Sequence, residues 1–403
     1  MPVAYAHTGY FPSPSPSFTF ATYNAMALAY AFNGCHYYIR RNSTLKPADV
    51  IRSQFGFRPP SNLDIHAVSG PSWLPARFWH VRRVKRGLAG LIRSGAVDAV
   101  IARNPVFLPM LKSLREEFGI PVYFESHDFY ADLSVRDDVN RSRKRRLERL
   151  ERENITGLTA VICLQESQKE WYAKTFPGVP VHVVRTGLWK VDSGASSPRE
   201  LVYIGSLDSH KGVDLMLRAA ARSRTRPPVL IIGGKTTAEV QIFKKHAAEI
   251  AAGINVDVTG WLDRSALESR LSGAALGALP LRDTFFNRHL TSPLKLFDYF
   301  GHGIPVLASD LPTMRELIRE EETGLFFPPG NEASMAEAID RFFSQQDRWP
   351  VMRENVLRAA AEWTWEKRAR RIRTIVESDL RRPSGPEPGR VTGANQEAPG
   401  RAS

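Results

Sequence analysis

The segment 284–310, TFFNRHLTSPLKLFDYFGHGIPVLASD, combines a helix start, a helix end and a buried strand. Ser292 and Pro293 form a helix-opening pair, because Ser caps helix N-termini and Pro fits the first helical position. Gly301 predicts the end of the helix, and the apolar run 304–308 predicts the strand. Such a helix directs its unpaired amides, and the positive end of its dipole, at whatever lies before it.

Four side chains that suit a phosphate group flank the start of this helix. They are Arg288, His289, Thr291 and Lys295. Cations and hydroxyls beside a helix N-terminus favour a bound anion, so one interpretation is a phosphate site. The other interpretation is an ordinary surface helix with a few basic residues.

Strand and helix patterns alternate through the chain and are interrupted by a polar linker, 192–198. Short apolar runs separated by helical spacing indicate parallel sheets covered on both faces. We therefore predict an α/β protein of two doubly wound, Rossmann-like domains that face each other across a cleft. The first half is 1–190 and the second half is 199–360. A late helix is predicted within 361–381, and the tail 382–403 lacks the apolar residues needed to pack.

The composition limits the class of partner. The net charge of +13 favours a polyanion: nucleic acid, an anionic membrane surface or a phosphorylated substrate. The sequence carries no RNA-recognition, zinc-finger or helix-turn-helix signature, so we expect no nucleic acid partner. No apolar run reaches the ~18 residues that span a bilayer. We expect a cytoplasmic protein in a reducing compartment, with Cys35 and Cys163 as buried thiols.

Two strongly basic segments bear on a membrane partner. In 73–93, apolar positions follow one helical face and arginines cover the rest, which suits a helix on the inner surface of an anionic membrane. The alternative is a solvated cationic face over a core stripe. In 136–152, Arg and Lys alternate with Glu148 and Glu151, so intrahelical pairs explain the charge and predict a solvated helix.

Three strand ends carry candidate ligand contacts. Gly205 and Ser206 end one predicted strand, and Lys211 precedes the next helix, where it would meet negative charge. Neither GxxxxGK[ST] nor GxGxxG is present, so a plain strand–turn–helix is the alternative. The other two candidates are His127, after the strand 122–125, and a group that could line a pocket for a base: Gly260, Trp261 and Leu262. A structural His and a core Trp are the respective alternatives. No D-x-D or metal-spaced cluster occurs.

In this order, the segments resemble the nucleotide-sugar glycosyltransferases of the GT-B fold, above all the retaining family four (glycosyl transferases group 1). The resemblance rests on LVYIGSLDSHKGVDLMLRAA, SPLKLFDYFGHGIPVLASDLPTMRELI, TGLFFPPGNEASMAEAI and WTWEKRARRIRTIVE. It implies transfer of a sugar, of hexosyl type, from a nucleoside diphosphate sugar to a hydroxyl of a glycan or lipid-linked glycan. It also implies retention, no metal and no cofactor, with the nucleotide sugar as co-substrate. In this fold the last helix crosses back to the first domain.

The resemblance gives each candidate residue a role. His127 would lie beside the reacting sugar, and Asp298 would bind the ribose. The base would meet Gly260, Trp261 and Leu262. The donor diphosphate would contact Gly205, Ser206, Lys211, Thr291, Ser292 and Lys295.

The chain departs from the family pattern at three places. Ser206 stands where Arg is frequent, Leu290 stands where a glutamate is usual, and 13–16 (SPSP) replaces a Gly-Gly loop. Candidates for extra diphosphate contacts are Arg282, Arg288 and His289. Alternatives to a transferase are a nucleotide-sugar isomerase or epimerase of similar fold, a non-catalytic nucleotide-sugar-binding subunit, and a dehydrogenase, against which the absent GxGxxG argues.

Overall fold

The computed structural model describes residues 1–13, 15–41, 43–70, 76–189, 191, 199–208 and 211–381, with the backbone alone for 76–78. The predicted linker and the predicted disordered tail lie outside the described residues. So do Ser209 and His210, in the loop before Lys211.

The first half contains a seven-stranded parallel sheet in the order β3-β2-β1-β4-β5-β6-β7. Its strands are β1 (Val3–Phe11), β2 (Cys35–Arg41), β3 (Leu63–Val68), β4 (Ala99–Ala102), β5 (Val122–Glu125), β6 (Ala160–Cys163) and β7 (Val181–Val183). Its helices are α1 (Pro16–Ala31), α2 (Pro47–Phe55), α3 (Ala76–Arg93), α4 (Leu108–Phe118), α5 (Arg141–Asn154) and α6 (Glu166–Thr175).

The second half contains a six-stranded parallel sheet in the order β10-β9-β8-β11-β12-β13. Its strands are β8 (Glu200–Ile204), β9 (Val229–Ile232), β10 (Val256–Val258), β11 (Ala274–Leu279), β12 (Val306–Ser309) and β13 (Gly324–Phe327). The helices are α7 (Val213–Arg222), α8 (Thr237–Ile250), α9 (Arg264–Leu271), α10 (Phe285–His289), α11 (Leu294–Gly301), α12 (Pro312–Arg315), α13 (Glu332–Phe343), α14 (Trp349–Ala360) and α15 (Trp365–Arg381).

The two halves repeat one topology, which confirms the predicted fold class. Each sheet has apolar clusters on both faces, because its central strands are apolar on both sides. In each half the strand order reverses between the first and fourth strands, and this is the point where such sheets bind ligands. For the first half it lies between β1 and β4, and for the second half between β8 and β11.

Helix α15 crosses back to the first half, as the resemblance implied. Its apolar side chains Trp365, Ala369, Ile372 and Val376 are buried in the same cluster as those of α1. Cys35 and Cys163 are free and buried, as predicted.

Two local predictions are wrong. Helix α11 begins at Leu294, and its N-cap is Pro293, which makes no side-chain cap bond. Ser292 does not cap the helix, because its hydroxyl is 2.9 Å from the Thr186 hydroxyl of the first half.

In α5 the predicted intrahelical pairs are mostly absent. The one such pair that joins described residues is Arg152–Glu148, at 3.9 Å. Glu151 is buried and accepts a 2.8 Å hydrogen bond from the Tyr130 amide, so it does not pair with the arginines of the helix. The exposed arginines of this helix therefore form a basic surface.

Candidate active site

The carboxyl end of β8 approaches the start of α11 closely. Gly205 has a φ of +152°, a backbone conformation that side chains other than glycine rarely adopt. A Cβ atom there would lie 3.3 Å from the Nζ of Lys295 and 3.0 Å from the Tyr203 hydroxyl. Glycine therefore keeps the end of this strand open beside a lysine. Ser206 follows, and its carbonyl accepts a 3.1 Å hydrogen bond from Tyr203.

Lys295 is a cation without a counter-ion. Its Nζ lies 4.0 Å from the centre of the Tyr203 ring. Burial, and then the charge of Lys211, lower the pKa of Lys295 to about 7. Within the described ranges no carboxylate pairs with Lys295 or with the exposed Lys211. Two neighbouring lysines without a carboxylate attract an anion.

The amides at the start of α11 add to this positive field. Those of Ser292, Leu294 and Lys295 donate to no backbone carbonyl in the described part of the chain. Thr291 differs from the prediction, because its amide donates to the Phe286 carbonyl at 2.9 Å. The carbonyl of Thr291 accepts a 2.6 Å hydrogen bond from Gln165 of the first half.

The residue proposed for the ribose, Asp298, lies in α11. Those proposed for the base, Gly260, Trp261 and Leu262, follow strand β10 of the second sheet. Asp298 accepts a 2.9 Å hydrogen bond from Arg264, so it is already paired with a cation. Trp261 is 62% exposed and is therefore not a core residue. Gly260 has a φ of +84°, and Leu262 packs against the core beneath. The exposed indole is a flat surface on which a base can stack.

Two of the three candidates for extra diphosphate contacts lie against the first half, and their role at the diphosphate stays a prediction. Arg288 pairs with Asp137 at 2.6 Å and with Asp283 at 2.7 Å. His289 Nδ1 lies 2.7 Å from the Ser167 hydroxyl. The physical reason is that α10 docks on the first half and turns both side chains toward it. Arg282 is exposed in the loop before α10.

Leu290, at the position of the usual glutamate, is 1% exposed. It belongs to an apolar cluster that consists mainly of first-half residues and includes Phe129 and Phe285. No sugar hydroxyl can reach it, so this position serves the contact between the two halves.

His127 follows β5 and lines a pocket in the first half. Its Nδ1 lies 3.2 Å from an Nη of Arg103. Because arginine can only donate, Nδ1 accepts and the ring proton resides on Nε2. Burial and the Arg103 charge lower the pKa of His127 to about 3, so the ring is neutral. With Nδ1 occupied and Nε2 protonated, His127 is not free to act as a general base.

A buried network of hydrogen bonds and an ion pair, centred on Glu125, lies next to His127. Glu125 Oε2 lies 3.7 Å from His127 Nε2, too far for a hydrogen bond. The same carboxylate accepts hydrogen bonds from the Tyr5 hydroxyl at 2.5 Å and from Arg368 of α15. Burial alone would raise the pKa of Glu125, but the opposing charge of Arg368 and hydrogen bonds to the carboxylate lower it to about 2.

Sequence reasoning missed Arg103 and Arg368. Arg103 directly follows the buried strand β4, just as His127 follows β5 by two residues, so its position at a strand end was a usable signal. Arg368 lies in a helix rich in arginine, and nothing local separates it from its exposed neighbours.

Two family models match the chain on either side of the cleft. Residues 46–188 match the model described as Glycosyltransferase Family 4, and residues 198–345 match the model described as Glycosyl transferases group 1. Together they cover well over half of the 403 residues. The chain belongs to the group 1 glycosyl transferases. Both sides of the candidate site fall within the matched segments, whereas helix α15 of this group 1 glycosyl transferase lies beyond them.

Curated relatives match over part of their length. The alpha-D-kanosaminyltransferase of Streptomyces kanamyceticus is 26% identical over 38% of this chain and 39% of its own. The D-inositol 3-phosphate glycosyltransferase of Corynebacterium urealyticum is 23% identical over 56% of this chain and 54% of its own. The chain thus matches about half the length, or less, of these relatives.

Solved structures share the fold of this group 1 glycosyl transferase. Sucrose-phosphate synthase from Thermosynechococcus elongatus has a TM-score of 0.72 at 17% identity, and the match covers 94% of this chain and 99% of that one. The Anabaena protein HepE, crystallised with UDP and glucose, has a TM-score of 0.68 at 12% identity, with 94% and 100% covered. These likenesses establish the GT-B fold.

Proposed function

We propose that the protein transfers a sugar, of hexosyl type, from a nucleoside diphosphate sugar to a hydroxyl group of a glycan or lipid-linked glycan. The observation that carries this proposal is the pair Lys211 and Lys295. Among the described residues the pair has no carboxylate partner, and it lies near α11 amides that donate to no backbone carbonyl. A diphosphate supplies the negative charge that this site lacks. The Anabaena structure with UDP and glucose, which has the same fold, supports this class of donor.

The main chemical task is to stabilise the charge that develops on the leaving diphosphate. Lys211, Lys295 and the α11 amides are arranged to do so, and we propose that neither a metal nor a cofactor takes part. Within the described residues, no group of three His, Cys, Asp or Glu side chains could hold a metal ion.

We infer that the product retains the configuration of the donor. The two carboxylates next to His127 are occupied, since Glu125 pairs with Arg368 and Asp128 pairs with Arg136 at 2.6 Å. Neither is available as a nucleophile for a double displacement. We therefore propose attack on the same face of the sugar, with the leaving phosphate accepting the proton, which agrees with a neutral His127 that is not a general base.

The test measures release of nucleoside diphosphate from a panel of nucleotide sugars, with EDTA present, in the presence and absence of oligosaccharide and lipid-phosphate acceptors. We expect acceptor-dependent release, its loss in Lys295→Met, and its retention in Arg52→Met, which replaces an exposed arginine of α2 that has no ion pair to a described residue. Conversion of the donor without an acceptor would instead identify an isomerase. Binding without release would identify a non-catalytic subunit. NMR of the product anomer tests retention.

We also propose that the first half docks on an anionic membrane. Helices α3 and α5 both pack against α4, so both lie on one face of the first sheet. On this face six exposed arginines have neither an ion pair nor a side-chain hydrogen bond to a described residue: Arg82, Arg86, Arg143, Arg145, Arg146 and Arg149. None of the helices in the described part of the chain has the length and apolar character needed to cross a bilayer. Attraction to anionic lipid would therefore hold the protein at the surface.

Sedimentation with phosphatidylcholine vesicles, with and without phosphatidylglycerol, tests this docking. We expect binding to the anionic vesicles alone, and weaker binding when Arg143, Arg146 and Arg149 are replaced by Gln. Equal sedimentation with both vesicle types would refute the proposal.

A further inference from the structure

The turn 290–294, between α10 and the body of α11, belongs to the second half by sequence but packs against the first half. Leu290 is buried in the apolar cluster that includes Phe129. Leu294 packs against the cluster that contains the apolar side chains of α1. From Leu296 onward, the apolar side chains of α11 belong to a cluster of mainly second-half residues. The first half therefore shapes the turn that leads into the proposed donor site.

Two polar contacts also fasten this turn to the first half. The Thr291 carbonyl accepts a 2.6 Å hydrogen bond from the side chain of Gln165, and the Ser292 hydroxyl lies 2.9 Å from the Thr186 hydroxyl. Gln165 and Thr291 are both buried. Loss of the bond between them would leave a donor and an acceptor unsatisfied away from water, so this contact is costly to break.

The neighbours of Gln165 fix the orientation of its side chain. Its Oε1 accepts a 2.6 Å hydrogen bond from Arg185. Because arginine only donates, the oxygen of the Gln165 amide faces Arg185 and the NH2 group faces the Thr291 carbonyl. Arg185 in turn pairs with Glu316 of the second half at 2.9 Å. Gln165 thus lies in a buried network that is anchored in both halves.

The position of Gln165 at the start of α6 leaves its side chain free for this role. Gln165 is the N-cap residue of α6, but its side chain makes no cap bond. The carboxylate of Glu316 instead accepts hydrogen bonds from the amides of Glu166, at 2.8 Å, and Ser167, at 3.0 Å. The second half therefore caps a helix of the first half, and the Gln165 side chain extends to the second half in return.

These contacts use a carbonyl and side chains of the turn and leave its amides for a ligand. The amides of Ser292, Leu294 and Lys295 donate to no backbone carbonyl in the described part of the chain. Pro293, the N-cap residue of α11, makes no side-chain cap bond that would fix their direction. A ligand that needs these amides in one arrangement binds only the molecules in which the turn adopts it, and its apparent Kd rises as that fraction falls.

We propose that Gln165 is a positioning residue for the donor diphosphate. Its hydrogen bond to the Thr291 carbonyl holds the turn 290–294 in the form in which the amides of α11 bind the anion. This inference rests on the proposed transferase function and deepens it, because donor binding in the second half then depends on a side chain of the first half. Gln165 acts through the backbone of Thr291.

Direct binding without an acceptor tests this role independently of turnover. Calorimetric titration measures the Kd of pyrophosphate and of UDP for the wild type, Gln165→Met and Gln165→Glu. Gln165→Met removes both side-chain hydrogen bonds without adding a charge, whereas Gln165→Glu keeps an acceptor for Arg185 and removes the NH2 donor to Thr291. We expect each variant to raise the Kd of both ligands about 5- to 30-fold.

Gln168, three residues further along, provides the matched control. It is as buried as Gln165. Its side chain also makes hydrogen bonds, but with Leu164, Ser126 and Asp128, all of the first half. Gln168→Met should lower the thermal stability as Gln165→Met does, and should leave the Kd of pyrophosphate and of UDP unchanged.

Hydrogen exchange followed by mass spectrometry shows whether the turn itself responds. In the wild type, saturating pyrophosphate should slow the exchange of amides in 290–296, because the unpaired amides of α11 gain an acceptor. In Gln165→Met and Gln165→Glu the free turn should exchange faster, and the protection by pyrophosphate should be smaller. A role confined to the stability of α6 would change exchange in α6 and leave 290–296 as in the wild type.

Four results would overturn the inference. They are wild-type affinity in Gln165→Met, wild-type affinity in Gln165→Glu, an equal loss of affinity in Gln168→Met, and failure of the wild type to bind either pyrophosphate or UDP. The second would assign the effect to the bond with Arg185, and the third to a general loosening of α6. If Gln165→Met misfolds, Gln165→Glu decides in the same way.

The two proposals can fail separately. Gln165-dependent binding of pyrophosphate, without release of nucleoside diphosphate from any nucleotide sugar, would refute the transferase and keep the positioning role. Acceptor-dependent release with the same donor KM in Gln165→Met and in the wild type would refute the positioning role and keep the transferase.

Discussion

Arg368 of the last helix donates a hydrogen bond to Glu125, and the two side chains are only 2% and 0% exposed. Glu125 ends the strand that leads to His127, so this buried pair joins α15 to the residue proposed to lie beside the sugar. Arg368 also donates to the carbonyl of Arg185, at 2.8 Å, and to that of Val184. A helix that follows the second half thereby supports the candidate site of the first half.

Replacing Arg368 should destabilise the protein strongly. Arg368→Met leaves the Glu125 carboxylate buried without its cation, which costs about 3–5 kcal/mol for a broken buried pair. We expect this decrease in the free energy of unfolding in urea, together with loss of sugar transfer. Arg368→Lys keeps the charge and should lose less. A stability change below about 1 kcal/mol in Arg368→Met would show that the pair does not hold α15 in place.

The same pair should make stability depend on acidic pH. Glu125 has a pKa of about 2 in the folded protein against an ordinary 4.5. A carboxyl with a lowered pKa contributes stability above its unfolded pKa and loses it as the pH falls through its folded pKa. We expect the free energy of unfolding to fall between pH 4.5 and 2, and less steeply in Glu125→Gln. Equal slopes for the two proteins would contradict this.

Leu290 should act as a core residue despite its position in the donor segment. Leu290→Ala removes a side chain that is 1% exposed and should cost about 2–5 kcal/mol of stability. Leu290→Glu restores the residue type that the family usually has, but buries a charge and should cost more. Urea unfolding of both variants measures this. A Leu290→Glu variant that keeps wild-type stability and gains activity would show that the position faces the donor.

Local sequence patterns predicted the helix and the strand of 284–310. The helix end at Gly301 and the strand in the apolar run 304–308 depend only on residues that are neighbours in sequence. The orientation of α10 was not predictable in this way. It depends on Arg288 meeting Asp137 and on Leu290 joining a cluster built from the first half, and both partners are distant in sequence. Lys211 and Lys295 were identified as cations, but the three-dimensional structure was needed to see that no carboxylate of the described residues forms an ion pair with either.

Trp261 should contribute to nucleotide binding without contributing to stability. Its side chain is 62% exposed, so Trp261→Ala should leave the free energy of unfolding within about 0.5 kcal/mol of the wild type. Loss of stacking should weaken nucleotide binding by about 1–3 kcal/mol. Calorimetric titration with nucleoside diphosphates measures the effect, and Trp261→Phe, which keeps a flat ring, is the matched control. Unchanged affinity in Trp261→Ala would place the base elsewhere.

Donor binding should weaken as the pH rises, because of Lys295. In the free protein its pKa is about 7, lowered by burial and by Lys211. A bound diphosphate favours the charged lysine and raises this pKa, so binding takes up a proton above pH 7. We expect the Kd of a nucleotide sugar to be nearly constant below about pH 6 and to rise roughly 30-fold by about pH 8.5.

Two variants separate this mechanism from a general effect of pH. Lys295→Arg keeps its charge throughout this range, so its Kd should not depend on pH. Lys211→Met removes the repulsion that lowers the pKa of Lys295, so the rise in Kd should move to higher pH while the affinity at pH 6 falls. Calorimetric titration with one nucleotide sugar between pH 6 and 9 measures all three proteins. The same pH dependence in Lys295→Arg and in the wild type would show that another group titrates and that Lys295 does not contact the diphosphate.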